Sequence, residues 1–449
     1  MRILHKSLIA AAVLFAVAYG GAAVLPKTRV PDTVTSVDLN NDELIKRGAY
    51  IARTADCVAC HTSPNGAEYA GGLAMETPVG AIYSTNITPD KETGIGNYSL
   101  AQFIGAVKHG VRGDGQALYP AMPYPSYAIM PDEDLTALYA YFMADVKPVK
   151  QQNADSTIPP VLNWRWPMAW WQLVFAPERD FVPDPNADEE INRGAYLVEG
   201  PGHCSACHTP RGIAYQELAL KLSDGDEFLS GAVIDGWRAK SLRGEARGLA
   251  SWSQQELEQF LSTGRTDKVA AFGAMADVVQ HSTQYFTPED ISSMAKYLKN
   301  LPPVKGRETN MAAKTDTTTG DLLNGNYTSR GALLYTEHCT TCHRADGKGV
   351  ERIFPALDGN SAIFANNAQS VIQITLEGGK MPETSADRMA FTMPAFNHLS
   401  DRDLAEVINF IRNSWTNQAP EVKAVDIAKI RHFVSGKAPH INATGDQHE

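Results

Sequence analysis

Strand signals are nearly absent from this sequence, and cysteine is scarce, with six among 449 residues. No G-x-G-x-x-G opens a βαβ unit, and neither a phosphate loop nor a nucleophile–base set occurs, which argues against flavin- or nucleotide-binding and bond-making chemistry in this chain. No basic patch is present and the formal net charge is −11, so nucleic acid is excluded as a partner. Outside the amino terminus no run is long and apolar enough to cross a bilayer. What remains is an ordinary globular composition, 43% hydrophobic and 20% charged, long enough for about three domains.

The six cysteines are not scattered. They fall in three copies of one pattern: Cys57-Val58-Ala59-Cys60-His61, Cys204-Ser205-Ala206-Cys207-His208 and Cys339-Thr340-Thr341-Cys342-His343. Two thiols three apart on one helical turn, with an imidazole next, form the attachment signature of c-type haem. Zinc needs four ligands close together, and each copy offers three. A thioredoxin-like dithiol belongs in a βαβ context that none of the copies has. Disulfides within a copy would be strained, and between copies would require distant pairings. Three covalently bound haem c groups are therefore expected, on Cys57 and Cys60, Cys204 and Cys207, and Cys339 and Cys342, with His61, His208 and His343 as proximal iron ligands.

Covalent haem attachment goes with export. Arg2, His5 and Lys6 form a short positive region, and Ser7 to Leu25 carries no charge. Residues 1–25 are thus either a cleaved signal peptide, with small residues near Ala18, Gly20, Ala22 and Ala23, or a retained amino-terminal anchor. Beyond it the phrase Arg47-Gly48-Ala49-Tyr50 returns as Arg193-Gly194-Ala195-Tyr196 and Arg330-Gly331-Ala332-Leu333, each leading into a CxxCH. The small Gly-Ala pair points to close packing of this helix on another helix of its own domain. Capping signals at Ser99/Gln102, Ser253/Glu256, Thr287 and Ser400 open further helices, the last running through Ile411, and apolar spacing or position in the repeat adds helices at Asp132 to Ala144 and Ser370 to Glu377.

The fold expected is all-α, three tandem class I cytochrome c-like haem domains at 38–148, 187–304 and 328–418. A Pro/Trp-rich linker (149–186) and a Thr/Gly/Asn-rich strap (305–327) join them, and 419–449 forms a carboxy-terminal tail. Four of the seven tryptophans, Trp164, Trp166, Trp170 and Trp171, crowd the first linker. They read equally as a docking surface or as packing between the first two domains.

Each domain also places a methionine in the loop between its middle and last helices: Met122, Met275 and Met393. A thioether in that position is a soft sixth ligand that raises the reduction potential. Met130, Met381 and Met389 are rivals that fit the repeat less well. The Pro355 carbonyl is a candidate acceptor for the other ring nitrogen of His343. The first two domains offer no equally clear acceptor, and His109, His203 and His338 read as bystanders.

With these motifs in place the chain closely resembles the tri-haem cytochrome c subunits of bacterial membrane-bound alcohol, gluconate and fructose dehydrogenase complexes. The resemblance is carried by phrases such as Gly80-Ala81-Ile82-Tyr83-Ser84-Thr85-Asn86-Ile87-Thr88-Pro89-Asp90, Leu118-Tyr119-Pro120-Ala121-Met122-Pro123 and Phe391-Thr392-Met393-Pro394-Ala395-Phe396. It implies an electron-transfer subunit on the periplasmic face of the inner membrane, with axial pairs His61/Met122, His208/Met275 and His343/Met393. It also implies a flavoprotein or quinoprotein catalytic partner, a small third subunit and ubiquinone as acceptor. The alternative is a free-standing multi-haem periplasmic cytochrome acting as a peroxidase or reductase, or as a shuttle to a terminal oxidase.

Overall fold

The computed structural model describes residues 2–31, 36–77, 79–160, 163–234, 236–310, 312 and 314–435. The polar segment expected to be loose from Ala438 onward lies outside them. Several side chains in the amino-terminal half of the first helix, Arg2–Val24, are also outside them. Among the described residues no helix is long and apolar enough to cross a membrane. The chain divides into two compact units: residues 1–187, 196–206 and 211–220, and residues 188–195, 207–210 and 221–449.

In the first unit a leading helix, Asp42–Thr54, starts where the Asn41 side chain accepts from the Glu43 and Leu44 amides, with two acids in its first turn. It crosses a closing helix, Asp132–Ala144. Gly48 sits at the crossing: a Cβ there would stand 1.9 Å from the Ala137 carbonyl oxygen. The expected close approach is therefore present, and only hydrogen fits. Beside it the Arg47 guanidinium donates to Asp134, at 2.6 Å from Nη2, a carboxylate in the closing helix's positive first turn. Between them in sequence comes the middle helix Leu100–His109, packed on the closing helix, with the expected Ser99/Gln102 capping box and Gly110 ending it at φ 65°. Ile51, Ala52, Phe103, Ile104, Leu135, Leu138 and Phe142 are buried in one core.

The second unit repeats this crossing twice. A Cβ on Gly194 would meet the Ser293 carbonyl oxygen at 2.0 Å, and one on Gly331 the Glu406 oxygen at 2.4 Å. Arg193 forks onto Asp290 with two 2.7 Å bonds, and Arg330 donates to Asp403 at 2.9 Å. The leading helix Arg330–His338 and the closing helix Asp401–Asn413 bury Leu334, Leu404, Val407, Ile408 and Ile411. Each such side chain contributes about 2 kcal/mol. The Ser253/Glu256 box and the Thr287 and Ser400 caps are as expected.

Four expectations need correction. The segment from 419 is not wholly a tail: Ala424–Ser435 is helical, and Ile427 and Ile430 enter the core beside Trp415. The strap at 305–327 contains a helix, Thr318–Leu323, whose Leu322 joins the same core. The first linker contains the helix Trp166–Phe175. Strand is not wholly missing either, since two-stranded antiparallel hairpins form at Ala74–Thr77/Gly80–Tyr83, Ala232–Ile234/Trp237–Ala239 and Gly379–Lys380/Thr392–Met393. Each has only two to four residues per strand, too short for period-two patterning to show in sequence.

Candidate functional site

Each CxxCH lies on a single helical turn: Cys57–Cys60, Ser205–His208 and Thr340–His343. In the first, the His61 amide closes onto the Cys57 carbonyl at 3.0 Å, and Asp56 at φ 51° turns the chain into the motif. All six cysteines are half-buried and none is in a disulfide. Burial first, then the neighbouring Asp56, pushes the Cys57 thiol up to about 12, and burial does the same to Cys339. A reactive thiolate needs its pKa lowered, so these environments suit neither a redox dithiol nor a thiolate metal ligand.

The histidines are held alike. His61 Nδ1 lies 2.7 Å from the Thr85 carbonyl oxygen, His208 Nδ1 2.6 Å from that of Lys240, and His343 Nδ1 2.9 Å from that of Pro355. A carbonyl can only accept, so each ring carries its proton on Nδ1 and keeps the Nε2 lone pair. Burial lowers all three imidazole pKa values, that of His208 to about 4, so the rings are neutral and able to ligate. Sequence reasoning found Pro355 and missed Thr85 and Lys240. A backbone acceptor leaves no mark in residue type.

The methionines differ more. Met122 is half-buried and packs on the first core together with Cys57, whereas its rival Met130 is wholly buried as core. Met393 is half-buried on a short strand paired with Gly379. Phe396, three residues on, shares the third core with Cys339. Of Met393's rivals, Met381 is buried and Met389 is 70% exposed. Met275 is not in a loop: it sits in the helix Ala274–His281, packed with Phe260 against Ala271, Ala276 and Val279. Gly273 makes that helix start possible at φ 57°, with the Trp237 ring 2.5 Å from where a Cβ would be. Among the bystanders, His203 is half-buried, stacks edge-on against Tyr127 at 5.7 Å, and is held near pKa 4 by desolvation.

Paired half-buried thiols at one turn and a half-buried neutral imidazole with its Nδ1 anchored fit a covalently held haem. Among the described residues no cluster of three or more His, Cys, Asp or Glu is arranged to hold a metal ion by itself.

Comparison with known proteins bears this out. Residues 45–144 and 328–415 match the Cytochrome c family, so the helical cups around the first and third motifs are cytochrome c domains. The chain is 50% identical over 395 residues to the cytochrome c subunit of alcohol dehydrogenase (quinone) from Gluconacetobacter polyoxogenes, covering 86% of this chain and 84% of that one. It is 48% identical over 413 residues to the gluconate 2-dehydrogenase cytochrome c subunit of Pantoea cypripedii, covering 90% and 93%. To the fructose dehydrogenase cytochrome subunit of Gluconobacter japonicus it is 36% identical over 409 residues, covering 86% and 82%. This chain belongs to that family of dehydrogenase cytochrome c subunits, whose role is electron transfer.

Proposed function

We propose that the chain binds three haem c groups, one per copy of the repeat in residues 38–148, 187–304 and 328–418. The axial pairs are His61/Met122, His208/Met275 and His343/Met393. The chain serves a periplasmic dehydrogenase of the gluconate 2-dehydrogenase or alcohol dehydrogenase type, bound at the inner membrane. It takes electrons from a flavoprotein or quinoprotein catalytic subunit, beside a small third subunit, and passes them to ubiquinone. Substrate choice belongs to the catalytic subunit. The observation that carries the count of three is the same Nδ1–carbonyl anchor under every CxxCH histidine.

When bound, haem c supplies a one-electron carrier whose potential is set by its axial ligands and burial. The protein's part is positional. Each cysteine pair would hold the group covalently, the carbonyl anchor keeps its histidine from rotating, and burial keeps the ring neutral. The Met-bearing segments, two of them held by Gly273 and by the Gly379–Met393 pairing, would supply a thioether as the second iron ligand. With both faces filled, such a site carries electrons and admits no exogenous ligand.

The test is a pyridine haemochrome assay on protein exported with haem-ligation machinery, together with the near-infrared sulfur-to-iron absorption. Three haems per chain are expected, and Met122→Leu, Met275→Leu and Met393→Leu should each remove roughly one third of that absorption. Two haems, or a leucine variant with undiminished absorption, refutes the corresponding assignment.

A further inference from the structure

We propose that the helix Trp166–Phe175 and the hairpin Arg211–Glu217 together form the surface by which the chain lies on a bilayer containing anionic phospholipid. The proposal rests on the reading of a membrane-bound subunit and names the face that such binding uses.

Both elements lie in the first unit. The helix leaves Leu173 and Val174 exposed, Val174 at 65%. In the hairpin, Arg211 bridges to Glu217 and the Gly212 amide donates to Gln216 at 2.8 Å. Its tip displays Ile213, fully exposed, and Tyr215 at φ 64°, with exposed Leu218 just beyond. A tyrosine in the left-handed region is uncommon, so the tip's outward shape is imposed on it. The two elements are fastened: Trp171 Nε1 donates to the Ala214 carbonyl at 2.8 Å, between Ile213 and Tyr215. Trp171 also packs edge-on against Tyr124 at 6.3 Å. One apolar surface results, held on a rigid support. Exposed apolar groups gathered in one patch mark an interaction surface rather than ordinary surface scatter.

Three observations select lipid as the occupant. The first is that the amino-terminal export helix already sits on the same tryptophan helix. Trp170 Nε1 donates to the Ala18 carbonyl at 3.1 Å, Tyr19 meets Trp166 edge-on at 6.4 Å, and Ala22 is buried with Ala169. Val13, Leu14 and Val17 of that helix are exposed apolar side chains in their own right. The second is charge. In a chain of net charge −11, residues 164–176 contain Arg165 and no acid, and the hairpin's one acid, Glu217, is only 4% exposed and lies 3.6 Å from Arg211 Nη1, so it shows no free negative charge at the tip. Arg29 also donates to the Ala176 carbonyl at 2.9 Å, at the helix's carboxyl end. Cations beside an apolar face complement lipid phosphates. The third is the tryptophans themselves: an apolar ring with one polar N–H is suited to the headgroup boundary, and Trp164 is half exposed.

The experiment is flotation of the full haem-loaded chain with vesicles of phosphatidylcholine and phosphatidylglycerol. The wild-type chain is expected to float. The double variant Val174→Glu/Ile213→Glu should lose about tenfold in bound fraction while keeping its haem content and spectrum, which separates failure here from failure of the haem assignment. Val425→Glu, at an exposed valine of the second unit, should float like the wild type. A wild-type chain that stays at the bottom overturns the proposal. So does a double variant that floats unchanged, whether because the amino-terminal helix alone tethers the chain or because the patch instead docks the catalytic subunit and only co-purification is lost.

Discussion

Replacing Gly48 by alanine should destabilise the first haem domain even though alanine is the better helix former. In an open helical position the exchange gains about 1 kcal/mol. At Gly48 the added methyl would lie 1.9 Å from the Ala137 oxygen and 2.7 Å from the Tyr141 Cβ, and ordinary contact begins near 3.4 Å. The obstacle is backbone of the closing helix and cannot swing aside, so the two helices must part by about 1.5 Å. That loosens Ile51, Ala52, Leu135 and Leu138 together. Overpacking of this kind costs about 3 kcal/mol, a net loss of about 2, or about 10 °C in the melting of a domain this size. Calorimetry of the haem-loaded chain, with hydrogen exchange of amides 45–54 to assign the transition, would measure it. Gly331→Ala, at 2.4 Å, should cost less. Gly320→Ala, helical with nothing within 4 Å, should be neutral or stabilising. If Gly48→Ala behaved like Gly320→Ala, the crossing would not be the contact that sets the leading helix.

Two other perturbations follow from the second unit. Arg265 is almost wholly buried and donates to the carbonyls of Arg352, Pro382 and Met389 at 3.2, 3.2 and 3.0 Å. Arg265→Met should cost about 3 kcal/mol by orphaning them, and Arg265→Lys should recover only part, because an ammonium lacks the fork; equal melting of all three proteins would refute this. Asp403 is held below the usual carboxylate range by the Arg330 guanidinium first and the Ser400 hydroxyl next. A depressed folded-state pKa gives stability that is present above the ordinary carboxylate value near about 4 and lost as pH falls through the lower one. Asp403→Asn should therefore cost stability at neutral pH, and the difference should shrink as acid protonates the folded-state carboxylate; a pH-independent difference would show that the carboxylate's charge is not what matters.

Side-chain chemistry was the part of this fold that could be read in advance. Ser99, Ser253, Thr287 and Ser400 act through their own oxygens, and Gly48, Gly194 and Gly331 through the absence of a side chain. Residue type therefore announced each role. Elements held by tertiary context were not announced. Met275 lies in a helix because Gly273 lets the chain turn beneath Trp237, a contact 36 residues distant in sequence. The helix Ala424–Ser435 buries Ile427 and Ile430 alone, with Val434 at the core's edge, too little periodicity to separate it from a tail.

The histidine anchors show why the site was only half legible. Their acceptors lie 24, 32 and 12 residues beyond the ring, and they come from a threonine, a lysine and a proline. Any residue has a carbonyl, so selection at these positions acts on where the loop passes and not on which side chain it carries. Proline serves as well as the others because its missing N–H plays no part. The helix crossing is the reverse case: 1.9 to 2.4 Å of clearance admits one residue type, and the chain uses it three times. It follows that side-chain changes at Thr85 or Lys240 which leave the loop path intact should keep the imidazole neutral and Nδ1-protonated. Inserting one residue between His61 and Thr85, which alters no side chain of the site, should free the ring to rotate. The anchor is a property of loop length, and that is where the three copies of the repeat differ.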